Sequence, residues 1–176
     1  MSKSQEETYI DINCMCYMES YKLLIYKHNE IEDTETGLSS FLFPAITLLP
    51  FAIELALKSR IQQQRLQKNQ DDVIPNIHNL WLLFSKLDGK IQNEIIFDTI
   101  HLCKIYNDKT GDDEVIDKTI FLEKLKLNSH RFEESRYVHE NLSDTEYDVM
   151  FMEAILFSLV SDEEEYKYHL KKIFSN

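Results

Sequence analysis

Apolar residues return at three- and four-residue steps along most of the chain, the spacing of one face of an α-helix. From about residue 5 to about residue 29, Ile10, Cys14, Tyr17, Met18, Tyr21, Leu24 and Ile25 make one apolar stripe on an otherwise polar segment. The pattern predicts an amphipathic helix packed on one side. Tyr9, Tyr17, Tyr21 and Tyr26 give that helix an aromatic character. Tyrosine rings of this kind pack in a core while their hydroxyls reach the surface; stacking on nucleobases is the second use of such a row.

The stretch from Phe41 to Lys68 has a different pattern. Phe51, Ala52, Ile53, Leu55, Ala56, Leu57 and Ile61 occupy most of the circumference of a helix there. A helix that is apolar on nearly every side is a buried one, so this segment is predicted to sit at the centre with its neighbours around it. Pro44 suits a first turn, where a missing N–H costs nothing. Pro50 predicts a kink in one continuous helix. From Gln62 to Lys68 the helix turns polar and is expected to leave the core.

The remaining elements follow in order. Asn29 to Ser40 is a polar linker and Asn69 to Asn76 a loop. His78 to Leu87 predicts a short helix ended by Gly89 as a left-handed stop. Lys90 to Tyr106 carries Ile91, Ile95, Ile96, Ile100, Cys103 and Ile105 inward. Asn107 to Glu114 is an acidic turn around Gly111 whose oxygens do not fall at the alternating positions of a calcium loop. Val115 to Leu127 predicts a fifth helix, with Ile116, Ile120, Phe121, Leu125 and Leu127 apolar. Ser143-Asp-Thr-Glu146 reads as a capping box starting a helix with Tyr147, Met150, Phe151, Ala154, Ile155 and Ser158 on its buried face. Asp162 to Glu165 either bends that helix or restarts it, and Tyr166, Leu170, Ile173 and Phe174 close the chain. The sum is an all-α bundle of five or six helices in a single domain.

Composition agrees. The chain has 176 residues, with only three Gly and three Pro, too few for the many turns of an all-β fold. Its net charge of -12 argues against sequence-blind adhesion to nucleic acid, which needs many Lys and Arg contacts to phosphate; a local basic groove is still compatible with it. Three cysteines without a CxxC motif fit a reducing compartment and predict small buried apolar groups. Cys14 and Cys16 would point about 200° apart on a helix and cannot share a metal there. The polar start lacks the pattern of a signal peptide. Phe41 to Leu57 is short for a membrane span and is interrupted by Pro44, Pro50 and Glu54. A cytoplasmic protein, with no membrane contact, metal or cofactor, is the expectation.

Several polar residues stand out against this background. Glu54 and Lys58 lie inside the apolar helix at i, i+4, acid first, the better orientation for an intrahelical pair. Unpaired charge there is expensive, so they either pair with each other or reach a partner such as Arg136, a polar network fixing the helix packing, and they could equally floor a ligand cleft. His78, at a predicted helix start, either caps, stacks on Trp81 or serves a site. Arg136 and His139 share a helix face at i, i+3. Histidine as proton acceptor and arginine as phosphate cation suit RNA cleavage by 2′-hydroxyl attack; Glu140, four residues beyond Arg136, would instead hold it in an ion pair.

Three segments, in order, resemble the HEPN domain family. Ala52-Ile53-Glu54-Leu55-Ala56-Leu57-Lys58 is similar to the family's buried helix with Glu and Lys. His78-Asn79-Leu80, with Phe84 and Leu87, is similar to its His-x-Leu…Leu helix, and Phe132 to Glu140 looks like the Phe…Arg-Tyr-x-x-Glu element of one branch. The similarity covers about residues 41 to 160 and implies a helical bundle, commonly dimeric, of a microbial defence or toxin–antitoxin kind. It further implies metal-independent endoribonuclease activity, with Arg136 and His139 catalytic and Glu54, Lys58, His78, Tyr137 and Glu140 binding. The family's usual Arg-x4-6-His spacing is absent: two residues separate Arg136 from His139 and seven separate Arg131 from it. The alternative expectation is a non-catalytic helical module, acting as a homodimer, that binds RNA, a nucleotide or a cognate protein.

Overall fold

The computed structural model describes residues 9–31, 40–70, 73–130 and 148–174. Among them the chain forms helices and no strand: α1 Tyr9–Glu30, α2 Leu42–Gln67, α3 Leu80–Phe84, α4 Gly89–Thr110, α5 Lys118–Leu127, α6 Val149–Val160 and α7 Glu163–Ile173. The all-α fold class read from the sequence is the observed one. At Asp162 the chain restarts rather than bends: Ser161 is extended, and the Asp162 side chain caps α7 by accepting from Glu165 N at 2.9 Å.

The helix ends follow from local chemistry. Asn79, Asp117 and Asp148 each accept a hydrogen bond from the backbone N–H three residues on, a cap worth about 1 kcal/mol. Gly111 ends α4 at φ 78°, a left-handed conformation that glycine adopts without steric cost. Gly89 does not play the part expected of it. It is the first residue of α4 and has no positive φ, because the short α3 ends in a turn at 85–87 and Asp88 supplies the extended step between the helices. The capping box at Ser143 to Glu146 lies outside the described residues; the described start of α6 is capped by Asp148.

α1 and α2 pack along much of their lengths, and α6 lies against both α2 and α4. α7 closes over α1 and α4, and α3 and α5 pair at one end, with α3 also on α2. α2 is long and apolar enough to cross a membrane by length and composition, and here it is packed: Ala52, Ile53, Ala56, Leu57 and Ile61 are all in the core. Pro50 sits within it without ending it. The centre is shared with α6, where every residue from Phe151 to Phe157 is buried. A row of rings, Phe84–Phe121–Phe151, with centroids 5.7 and 5.5 Å apart, joins α3, α5 and α6.

Three side chains depart from the sequence expectation. Leu127 is 74% exposed, at the last residue of α5 where the helix has left the core. Cys16 is exposed because it points about 200° away from the buried Cys14. Tyr21 is fully buried with its hydroxyl inside the protein. Ion pairs fasten the outer elements. Lys22 of α1 reaches Glu165 of α7 at 2.8 Å, and Lys124 of α5 reaches both Glu114 and Asp148. Burial opposes the charge on Lys124, and the hydrogen bonds it donates to Asp148 and Glu114 outweigh it, holding its pKa above the usual lysine value.

Candidate functional site

The lone acid and base of the apolar helix find each other. Lys58 Nζ donates to Glu54 Oε1 at 2.8 Å, one turn apart on α2. The chain's first extended segment after α2 brings a third member: His78 Nδ1 lies 3.1 Å from Glu54 Oε1 and 3.2 Å from Oε2. Glu54 is 1% exposed, whereas the His78 side chain is 46% exposed. A carboxylate paired with an ammonium has only acceptors, so Nδ1 must be the donor and the neutral ring then carries its lone pair on Nε2. A buried carboxylate behind a solvent-facing imidazole is the arrangement that fixes a histidine's tautomer and orientation for proton transfer. His78 neither caps α3 nor stacks on Trp81: Asn79 is the cap, and the Trp81 ring lies near Phe84, with centroids 6.3 Å apart.

Asn79 adds a second oriented histidine. Its Oδ1 is committed to Leu82 N at 2.8 Å, which fixes the amide's direction, and its Nδ2 therefore donates to His130 Nε2 at 3.0 Å. His130 follows the turn that ends α5, where Leu80 N donates to Ser129 O at 3.0 Å. Both histidines are exposed at the α3–α5 end of the molecule.

A second carboxylate–histidine group occupies the core between α1, α6 and α7. Tyr21 Oη donates to Glu153 Oε1, and His169 Nε2 lies 3.1 Å from the same oxygen. Tyr26 Oη lies 3.0 Å from His169 Nδ1. One consistent proton arrangement runs through all four: Tyr26 donates to Nδ1, Nε2–H donates to Glu153, and Tyr21 donates to Glu153. His169 is 0% exposed and rings of Phe157, Tyr166 and Tyr26 surround it at 4.8, 6.3 and 5.4 Å. Burial pushes the Tyr26 hydroxyl up to about 12, with Lys22 pulling the other way. The sequence reading named neither Glu153 nor His169.

Of the residues nominated from the sequence, the structure brings Glu54, Lys58 and His78 together. Arg136, Tyr137, His139 and Glu140 lie outside the described residues. The thiols of Cys14 and Cys103 are pushed up to about 12 by burial, which makes them inert as nucleophiles. Among the described residues no group of three or more His, Cys, Asp or Glu side chains is placed to hold a metal ion. A cavity of about 370 Å³ between α2 and α4 is lined by Arg60, Lys68 and Lys90 against Asp88, Glu94 and Asp98. Its charges balance, and it does not include Glu54, Lys58 or His78. No protein-family model, curated protein or solved structure matches the chain.

Proposed function

We propose that this chain is a HEPN-like helical protein of a microbial defence or toxin–antitoxin kind, cytoplasmic and homodimeric, whose Glu54–Lys58–His78 cluster belongs to a site that cleaves RNA without a metal. The observation that carries the reading is the half-exposed His78 ring backed by a fully buried carboxylate. In the reaction the substrate's 2′-oxygen attacks the adjacent phosphorus, its proton passes to an imidazole, and the 5′-oxygen leaves with a proton from a second acid. His78 Nε2 is set up as the acceptor, with Nδ1 held by the Glu54 carboxylate that Lys58 also binds. Arg136 and His139 are the residues for phosphate charge and the second proton transfer.

The test is cleavage of a single-stranded RNA in EDTA. Wild type is expected to yield 2′,3′-cyclic phosphate ends, and His78→Ala and His139→Ala to lose at least about a hundredfold in rate with melting little changed. No cleavage by wild type at high protein concentration overturns catalysis. A second reading, a non-catalytic module that binds a nucleotide or a cognate protein, is favoured by one observation. Both Glu54 oxygens already have partners, as in a polar lock that only shapes a surface.

A further inference from the structure

We infer that Trp81, with the Lys126 ammonium over its ring, is a stacking platform for one base of single-stranded RNA; this rests on the RNA reading above and names the substrate's form. Lys126 Nζ lies 4.6 Å from the centroid of the Trp81 ring. An ammonium group keeps its hydration when it can, so a lysine resting on a ring face marks one that the apolar side chains of the described residues leave open. Trp81 is half-buried, its body anchored beside Phe84. Lys126 is exposed in the last turn of α5.

The platform is held rigidly. Leu80 N bonds to Ser129 O, and Ser129 Oγ bonds to Lys126 O at 2.7 Å, so the residue before Trp81 and the backbone of Lys126 share one hydrogen-bonded corner. The same corner carries the Asn79–His130 contact and, one residue earlier, His78 on Glu54. Next to the ring and the lysine in sequence, Leu82 and Leu127 are exposed apolar side chains. An aromatic face with an exposed cation over it suits a nucleotide: the base takes the ring and the ammonium moves from the ring to the phosphate. A duplex keeps its bases stacked inside and has no face to offer. The chain's net charge of -12 means that such a contact has to be local and base-assisted rather than a broad phosphate track.

Trp81 is the only tryptophan in the chain, so intrinsic fluorescence reads this one ring. The experiment titrates the full chain with a ten-nucleotide oligouridylate and with a duplex of equal length, following Trp81 fluorescence and the anisotropy of an end-labelled oligouridylate. Saturable quenching by the single strand and none by the duplex is the expected result. Trp81→Ala should weaken anisotropy-detected binding about 5- to 100-fold and Trp81→Phe should restore most of it, which separates stacking from loss of fold. Lys126→Gln should weaken binding several-fold and reduce the slope of log K against log salt by about 0.7. Binding that leaves Trp81 fluorescence unchanged overturns the platform, as does absence of binding at millimolar oligouridylate. Cleavage with a silent Trp81 overturns this inference alone; quenching without cleavage upholds it and overturns only the catalytic reading.

Discussion

Among the described residues two glutamates are buried, each touching a histidine, and they do opposite things. Glu54 sits on α2 with Lys58 on its own helix, and its histidine reaches outward into solvent. Glu153 sits on α6 and, among the described residues, takes hydrogen bonds from Tyr21 and His169, both sealed in the core with it. The lesson is that the surroundings of the imidazole, rather than the pair itself, separate a site from a brace. Glu54 is as deeply buried as Glu153, but its histidine, with a side chain 46% exposed, can exchange the carboxylate for water. At Glu153 nothing can replace a lost partner, so four polar groups stand or fall together.

That contrast can be broken by mutation, beginning with the largest expected effect. Glu153→Gln takes the charge from the oxygen that Tyr21 and His169 share and puts two amide donors where the buried Oε2 stood. It is expected to cost about 3 kcal/mol or more and to lower the melting temperature by about 6–12 °C, read by thermal unfolding. The same change at Glu54 takes the charge from a buried Lys58 as well as from His78, and its distinguishing effect is expected to be the loss of RNA cleavage. Cleavage retained by Glu54→Gln would contradict the distinction. Tyr21→Phe removes one of the two donors converging on Glu153 and should cost about 1 kcal/mol. Combined with His169→Phe, it should show a coupling of at least about 0.5 kcal/mol in a double-mutant cycle; strict additivity would mean the two do not share the carboxylate.

The smallest expected effect is on pH dependence. The Tyr26 hydroxyl is pushed up to about 12 in the folded protein by burial, against about 10 for an exposed tyrosine. Between those values the unfolded chain has released a proton that the folded chain keeps. Folding therefore loses stability as pH rises from about 10 toward about 12. Tyr26→Phe should flatten that alkaline fall in chemical-denaturation curves. An unchanged slope would mean Tyr26 is not the group held protonated.

How far each region was legible follows from how local its contacts are. Glu54 and Lys58 announce themselves because a lone acid and base one turn apart in an apolar helix have few alternatives. The buried stripe of α1 was equally plain, with Cys14, Met18, Tyr21 and Ile25 all in the core. His78 was visible as a residue but not in its role: its carboxylate lies 24 positions earlier, and Asn79, the true cap, was read as helix interior. Glu153 carried the same signal as Glu54, a single acid in an otherwise apolar helix, and asking for its partner would have found it. That partner, His169, sits 16 residues later on a separate helix, and only the packing of α7 brings it in. Gly89 was misplaced because an Asp-Gly step is read as a stop, whereas here the extended Asp88 makes it a start.

The most direct test compares the melting temperatures of His169→Ala and His78→Ala. The account predicts a fall of at least about 6 °C for His169→Ala, whose loss leaves Glu153 and Tyr26 without their buried partner, and a change within about 2 °C for His78→Ala, where solvent takes over. Equal falls, or a larger one for His78→Ala, would show that both histidines are braces and that the exposed cluster is no site.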